Sequence, residues 1–237
     1  MEEVDEIVRT ARRLKFSPET SAKGHHYASL PLCLIDAVFS IGVRYSGVVE
    51  TIDRFANLHD WKVTGRDRYS GGPGEHGIRD FLRLYDRFPE PESAARELFG
   101  NRQRTSARSG ILKAEACRLF ANALLRSDIN DFPDINDDRL SLAEARVLMI
   151  PGQGSGLSFD YFRLLAGDDT MVKPDRMVVR FIARTLGINR DNISPRFASA
   201  LIKLAAKKLA ERDHHWTPMK LDYQIWKFES RSPDAAT

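Results

Sequence analysis

The sequence is short of cysteine and has no apolar run long enough to cross a membrane. Its two cysteines, Cys33 and Cys117, are too few for a disulfide framework, a zinc cage or a four-cysteine iron–sulfur cluster. The longest apolar stretch, ASLPLCLIDAVFSIGV, is interrupted by Pro31 and Asp36 and is shorter than a membrane span. The N-terminus is charged throughout and lacks the apolar core of a signal peptide. These absences predict a cytoplasmic protein with no membrane partner.

A strong excess of one charge is also missing. The formal net charge of +3 permits a nucleic-acid partner without requiring one. A hydrophobic share of 42% and a charged share of 29% are ordinary for a soluble globular protein. A chain of 237 residues can bury one large core or build two small lobes.

No stretch alternates between apolar and polar residues as a strand does, so the sequence predicts an all-α fold. Helical spacing is clearest in KAEACRLFANALLR and IRDFLRLYDRF. Ser141 and Glu144 stand in capping-box spacing, which predicts a helix start at Ser141. Another helix is predicted to begin at Ser194, with Pro195 in its first turn. The inward positions predicted for that helix are Phe197, Leu201, Leu204, Ala205 and Leu209.

The segment IPGQGSG, residues 150–156, lies between two predicted helices. A glycine-rich hairpin lets another backbone come close and leaves the first N–H groups of the second helix open. Those donors, with the helix dipole behind them, suit a phosphate oxygen. A tight helix–helix turn that needs glycine only for positive φ explains the same residues, and the segment alone does not separate the two.

A second motif, Lys173-Pro174-Asp175, leads into an amphipathic helix. Asp175 stands at the helix start, where aspartate is a good N-cap. A capping role and a catalytic role are compatible, because a helix N-terminus also favours a negative charge. The apolar face of this helix is predicted to include Met177, Val178, Phe181 and Ile182.

In this order the two motifs resemble the helix-hairpin-helix DNA glycosylases, the superfamily of endonuclease III and the bacterial alkyladenine glycosylases. The family pattern is a Leu-Pro-Gly-Val-Gly hairpin, a helix, a loop rich in glycine and proline, and an aspartate before another helix. The likeness covers about residues 113–187. It implies a two-lobed all-α fold with a cleft. Residues 28–165 would form a helical barrel lobe ending in the helix-hairpin-helix at about 141–166, and residues 1–27 with 166–237 would form the lobe carrying Asp175.

The resemblance also implies a reaction. Such enzymes flip a damaged or modified base out of duplex DNA and hydrolyse its N-glycosidic bond, leaving an abasic site. Asp175 would stabilise the oxocarbenium-like sugar. Gly156 stands where strand-cleaving members have a lysine nucleophile, which favours a monofunctional enzyme without a Schiff base. No cofactor is expected, except that the family likeness suggests a monovalent cation at the hairpin carbonyls.

Candidate DNA contacts come from the hairpin, from the loop before Asp175 and from the run NRQRTSARSGILK, which has no acidic residue. A positive run is also typical of a solvated face, so salt-dependent binding decides between the two. The expected partner is double-stranded DNA, and the expected state is a monomer, associated with the nucleoid if the protein is bacterial. The candidate contacts are Gly152, Gln153, Gly154, Ser155, Gly156, Lys173, Arg102, Arg104 and Arg108.

The sequence identifies the base pocket, and the wedge side chain that would enter the DNA base stack, less clearly than it identifies the hairpin and Asp175. Asp36 lies in an apolar helix, where an unpaired charge is unfavourable, so it either pairs with Arg44 or lines the pocket. The wedge glutamine of some family members aligns near Gly42, which has no side chain for this role. Arg44 or Tyr45 is the candidate to replace it. The pocket and wedge candidates are Asp36, Arg44, Tyr45, Tyr27, Trp61 and Tyr69.

Three other aspects stay open from the sequence. The adjacent pairs His25-His26 and His214-His215 are expected to point apart, which predicts no metal site. Alkylated purines are the default substrate and base excision repair the default role, with a hypermodified base of phage DNA, and hence defence, as the other possibility. There are two alternatives to a glycosylase. One is a non-catalytic helix-hairpin-helix DNA-binding protein, and the other is an all-α protein with no nucleic-acid role, in which the hairpin is only a turn.

Overall fold

The computed structural model describes residues 2–18, 26–43, 45–65, 72–106 and 110–231. Within these ranges the chain forms eleven α-helices and two short 3₁₀ helices, and no strand. Pairing between extended segments is limited there to two isolated bridges, Tyr27 with Thr64 and Arg104 with Leu112. The predicted all-α class is therefore confirmed for the described chain.

The chain divides into two compact units, one of which uses both chain ends. One unit combines residues 2–18 with 167–231, and the other comprises the described residues between 26 and 166. The α-helices are α1 (Glu2–Arg13), α2 (Leu30–Phe39), α3 (Tyr45–Leu58), α4 (Ile78–Tyr85), α5 (Pro91–Glu97), α6 (Lys113–Leu125), α7 (Asp137–Val147), α8 (Leu157–Ala166), α9 (Arg176–Leu186), α10 (Pro195–Ala210) and α11 (Pro218–Glu229). The first unit holds α1 and α9 to α11, and the second holds α2 to α8. No helix in the described ranges is both long enough and apolar enough to span a bilayer.

Helix α2 is the centre of the second unit. Every residue of this helix is buried, and it packs against α3, α6 and α8. A helix that is apolar nearly all round belongs in a core, which explains this position. Packed phenylalanines extend the core. The rings of Phe39 and Phe99 are tilted with 5.2 Å between their centroids, and those of Phe55 and Phe99 are stacked with 5.7 Å between theirs. The side chain of Asp36 therefore lies fully buried in the interior of this unit.

The unit of the chain ends is held by an apolar core and a buried ion cluster. Val178, Phe181 and Ile182 of α9 pack in this core with residues of α1, α10 and α11. The carboxylate of Glu229 is fully buried and binds the guanidinium groups of Arg180 and Arg184. This cluster ties α9 to the end of α11, so it orients the helix that begins directly after Asp175.

Two expectations about helices need correction. Helix α7 begins at Asp137 and not at Ser141, because the side chain of Asn136 caps the Arg139 N–H at 3.0 Å. The Ser141 hydroxyl donates to the Asp137 carbonyl at 2.8 Å from inside the helix.

Helix α10 begins after Ser194 as predicted, with the Ser194 hydroxyl accepting the Phe197 N–H. Its inward face, however, is narrower than expected. Leu201, Ala205 and Leu209 are buried, but Phe197 is 41% exposed and Leu204 is 53% exposed. The remaining core positions are taken by Ala198, Ile202 and Ala206, which shift the buried stripe around the helix.

Candidate functional site

The predicted hairpin is a compact turn between α7 and α8. The Gln153 N–H donates to the Ile150 carbonyl at 2.9 Å, and the Gly156 N–H donates to the Gln153 carbonyl at 3.0 Å. Gly152 has φ 83° and Gly156 has φ 78°. Both angles lie in the left-handed region, which explains why the hairpin needs glycine at these two positions.

Gly152 is also required by a close neighbour. A Cβ atom at this position would lie 2.3 Å from Oγ1 of Thr105, whose hydroxyl donates to the Pro151 carbonyl at 3.0 Å. Gly154 is different, because it is exposed and its nearest neighbour to an added Cβ is the Leu148 carbonyl at 3.6 Å. One glycine therefore permits a close contact, and the other keeps the tip of the hairpin bare.

The side chain of Gln153 points into the protein. It is 3% exposed, and its Oε1 accepts a hydrogen bond from the hydroxyl of Ser158 on α8. The side chain of this predicted DNA contact is therefore not at the surface. Gly154 and Ser155 form the exposed tip, where the Ser155 hydroxyl accepts the Leu157 N–H at 3.4 Å and begins α8.

The structure brings part of the basic run against the hairpin. Thr105 makes the contact with Pro151, and Arg102 and Arg104 on the same segment are exposed. Arg104 donates to the Gly110 carbonyl at 3.0 Å and lies 4.0 Å from Glu92. Thr105 has no feature in the sequence that would have predicted this contact.

The run contains two further basic residues, Arg108 and Lys113. Arg108 lies outside the described residues. Lys113 is 2% exposed, and its ammonium donates to the carbonyls of Phe39 and Ile41 at 2.9 and 2.8 Å and to Gln103 Oε1 at 3.2 Å. Burial lowers the pKa of Lys113 to about 8. Lys113 therefore closes the end of α2 and makes no surface contact.

Asp36 organises four hydroxyl groups in the interior of its unit. The fully buried carboxylate accepts bonds from Ser40 at 2.6 Å, Tyr27 at 2.8 Å, Tyr161 at 3.3 Å and Tyr45 at 3.4 Å. Burial and the charge of Asp36 raise the pKa of Tyr27 well above its usual value and that of Tyr45 to about 12. Tyr27 and Tyr45 therefore keep their protons and act as donors at neutral pH. Tyr161 is a member that sequence analysis missed.

The remaining pocket candidates are elsewhere or undescribed. Trp61 is 8% exposed and stacks on His76 with 4.1 Å between ring centroids, so it belongs to a separate cluster that includes Phe55. Arg44 and Tyr69 lie outside the described residues. Tyr45 is 50% exposed at the start of α3, so among the described candidates it is the one that joins the Asp36 cluster and also reaches the surface.

We expect Tyr27→Phe to lower the free energy of unfolding by about 1–2 kcal/mol, because it removes a short buried bond to Asp36. Tyr45→Phe is the matched control. Its bond is longer and its ring is half exposed, so we expect a loss below about 0.5 kcal/mol. Urea denaturation of both variants measures the difference. Equal losses would contradict the view that Asp36 and Tyr27 form the centre of the cluster.

Asp175 is the N-cap of α9. Its Oδ1 accepts the N–H groups of Met177 at 2.7 Å and Val178 at 3.2 Å. The side chain is half-buried, and its Oδ2 has no hydrogen-bond partner among the described residues. The predicted cap and the four predicted apolar positions of α9 are confirmed. One carboxylate oxygen is thus held in place by the helix, and the other is available.

The loop before Asp175 is fixed by its backbone. The Lys173 N–H donates to Oδ2 of Asp222 at 2.9 Å, and the Lys173 carbonyl accepts the Asp175 N–H at 2.7 Å. Lys173 is half-buried. The position of Asp175 therefore depends on α9 after it and on α11 through Lys173.

One expectation about the histidines is wrong. The rings of His214 and His215 lie 4.1 Å apart between centroids, and ligand atoms of Asp213, His214 and His215 are all within 4.8 Å of one another. The side chains converge because this turn is neither helix nor strand. The three groups are half-exposed or exposed, and the His215 ring is hydrogen-bonded to Asp213 at 2.8 Å. The other pair cannot be compared, since His25 lies outside the described residues.

Comparison with known proteins gives a family without a known function. No curated protein and no solved structure matches the chain. Residues 3–230 match the family described as a domain of unknown function, DUF8548, so nearly the whole described chain is covered. The chain belongs to the DUF8548 family.

Proposed function

We propose that this protein is a monofunctional DNA glycosylase that hydrolyses the N-glycosidic bond of a flipped base and leaves an abasic site. The observation that carries the proposal is the carboxylate of Asp175. One oxygen is fixed by two backbone N–H groups of α9, and the second accepts no hydrogen bond from the described residues. A fixed carboxylate with one available oxygen suits a reaction in which positive charge develops nearby.

The main requirement of this hydrolysis is a fixed negative charge near the sugar. As the base leaves, the deoxyribose becomes oxocarbenium-like, and a preorganised carboxylate stabilises this cation more than the neutral ground state. Oδ2 of Asp175 is also proposed to orient the attacking water. No amine is available in the hairpin at Gly156, whose φ of 78° disfavours a side chain, so strand cleavage through a Schiff base is not part of the proposal.

The hairpin is proposed to bind the DNA backbone. Gly154 and Ser155 form an exposed tip directly before α8, where the dipole of the helix attracts a phosphate. Arg102 and Arg104 lie on the segment that Thr105 attaches to this hairpin, so they add positive charge beside it. Two elements that are far apart in the sequence thus support one phosphate-binding surface.

A monovalent cation at the hairpin is compatible with these residues. The carbonyls of Ile150, Pro151 and Gln153 each accept one hydrogen bond, which leaves each of them a second lone pair. Such a cation would supply positive charge to a DNA phosphate. No step of the reaction depends on it.

The Asp36 cluster is proposed to form the base-recognition site, with the half-exposed ring of Tyr45 stacking on the flipped base. Asp36 itself is fully buried, so its role is to hold the tyrosine hydroxyls. The two units would then correspond to the two lobes of a helix-hairpin-helix glycosylase. We propose double-stranded DNA as the partner of a monomer in the cytoplasm, with repair of alkylated purines as the default role and defence against modified phage DNA as the other.

Binding to duplex DNA tests the first half of the proposal. We expect the logarithm of the binding constant to fall linearly with the logarithm of salt concentration, and Arg102→Gln with Arg104→Gln to reduce the slope by about 1–2. Arg79→Gln, an exposed arginine on α4 of the same unit, is the control and should leave the slope unchanged. Fluorescence anisotropy measures the slope. Affinity that does not depend on salt would reject the phosphate-binding surface.

A screen for released bases tests the second half. Purified protein is incubated with chemically alkylated, deaminated and phage DNA, and mass spectrometry identifies free bases. We expect release from at least one of the three. Salt-dependent binding without any release would instead establish a non-catalytic DNA-binding protein, in which Asp175 only caps α9.

A further inference from the structure

A second carboxylate is buried behind the loop that carries Asp175. Asp222 on α11 is 8% exposed, and its Oδ2 accepts the Lys173 N–H at 2.9 Å. The start of α11 is also attached to the turn that follows α8, because the Met219 N–H donates to the Asp169 carbonyl at 3.1 Å. An aspartate is an unusual choice for such a position, since asparagine or a backbone carbonyl could accept the same bond without burying a charge.

The neighbouring charges do not neutralise Asp222. On α9, Arg180 and Arg184 bind Glu229, and on α10 the Lys203 ammonium lies 3.6 Å from the sulfur of Met171. No described cation forms an ion pair with Asp222. The charged groups that act on it from the loop are Asp175, which disfavours its ionisation, and Lys173, which favours it.

Burial of the ionised Asp222 carboxylate lowers the stability of the folded protein in the physiological pH range. Burial, followed by the charge of Asp175, raises the pKa of Asp222 from 3.8 to about 7, while the Lys173 N–H and the lysine charge oppose the shift. Because the pKa is raised in the folded state, the protonated carboxyl contributes stability that is complete below about pH 4. That contribution is lost as the pH rises through about 7.

We propose that Asp222 is a positioning residue for Asp175, which holds the loop through Lys173 and adds a second negative charge behind the reacting sugar. The inference rests on the proposed glycosylase function for its catalytic part. A developing cation is stabilised by fixed negative charge in a site that excludes water, so an ionised Asp222 strengthens the field of Asp175. The presence of an aspartate that lowers stability near neutral pH is then explained by the reaction.

The anchoring role is tested without any enzyme assay. Hydrogen exchange of the Lys173 amide, followed by NMR, should stay slow in Asp222→Asn, because the side-chain oxygen of asparagine still accepts the bond. Exchange should become at least about tenfold faster in Asp222→Leu. Unchanged exchange in Asp222→Leu would reject the anchor.

The charge is tested by stability against pH. Asp222→Asn and the wild type should have similar unfolding equilibrium constants at pH 4, where both side chains are neutral. At pH 8 the wild type should unfold more readily by up to about 10³-fold, because only the wild type must bury a carboxylate. Asp191→Asn, an exposed aspartate of the same unit, is the control and should show no such difference. Parallel pH profiles of wild type and Asp222→Asn would reject a buried charge.

The catalytic part is tested by the pH dependence of base release. We expect the single-turnover rate of the wild type to rise through about pH 7, and Asp222→Asn to remain about tenfold slower at pH 8 with equal DNA affinity. A role limited to structure would let asparagine restore the full rate, and that result would overturn the inference. Failure of the proposed function is distinct, since no base would be released by either protein while the exchange and stability results would stand.

Discussion

Asp175→Asn is expected to lower the rate of base release by about 10³-fold, equivalent to about 4 kcal/mol of transition-state stabilisation. The substitution keeps the fold, because asparagine is as good an N-cap as aspartate and can accept the N–H groups of Met177 and Val178. It removes only the negative charge. Single-turnover measurement on a duplex with one released base gives the rate, and anisotropy should show the same DNA affinity as the wild type.

The matched control for this variant is Asp131→Asn. Asp131 also caps a helix, accepting the Phe132 N–H at 2.7 Å, but no part of the reaction is assigned to it. Its rate should equal that of the wild type. A wild-type rate in Asp175→Asn would show that Asp175 is a structural cap and would leave only the DNA-binding role of the hairpin.

Gly152→Ala is expected to reduce duplex affinity by at least about tenfold and to lower the free energy of unfolding by roughly 2–4 kcal/mol. The added methyl group meets Thr105 at 2.3 Å, and φ of 83° is strained for alanine. The hairpin and the segment with Arg102 and Arg104 must then separate. Loss of this contact should weaken binding, since the proposed phosphate contacts come from both parts.

Gly154→Ala separates the two effects. At this exposed position the added methyl group has only an ordinary contact, 3.6 Å from the Leu148 carbonyl, so stability should change little. Duplex affinity should still fall, because the methyl group keeps the DNA backbone away from the hairpin tip. Urea denaturation and anisotropy on both variants give the comparison. Unchanged affinity in Gly154→Ala would exclude the tip as a contact.

Local patterns in the sequence were sufficient for several features of the fold. The all-α class, the helix at Lys113–Leu125, the start of α10 at Ser194 and the cap at Asp175 all follow from spacing over one or two turns. The hairpin glycines belong to the same group, since two of them have the positive φ that the turn requires. These features depend on neighbours within about four residues, so an amino-acid pattern contains them.

Predictions failed where a competing neighbour or a tertiary contact decided the outcome. Asn136 and the acidic residues after it provided a better helix start than Ser141. Leu204 remained outside because α10 presents a narrower face to its unit than its apolar content suggested. Gln153 turned inward because Ser158 offers its side chain a buried partner. Each case compares alternatives of similar local propensity, which the sequence pattern does not rank.

The sequence by itself determined two local features of the proposed site: a hairpin with glycine where φ must be positive, and an aspartate at the start of a helix. The tertiary structure alone decided what surrounds them. Thr105 meets Pro151 across 46 positions, Lys173 meets Asp222 across 49, and Tyr161 meets Asp36 across 125. Such contacts have no local signature, because they form only after the helices pack and bring distant side chains within hydrogen-bonding distance.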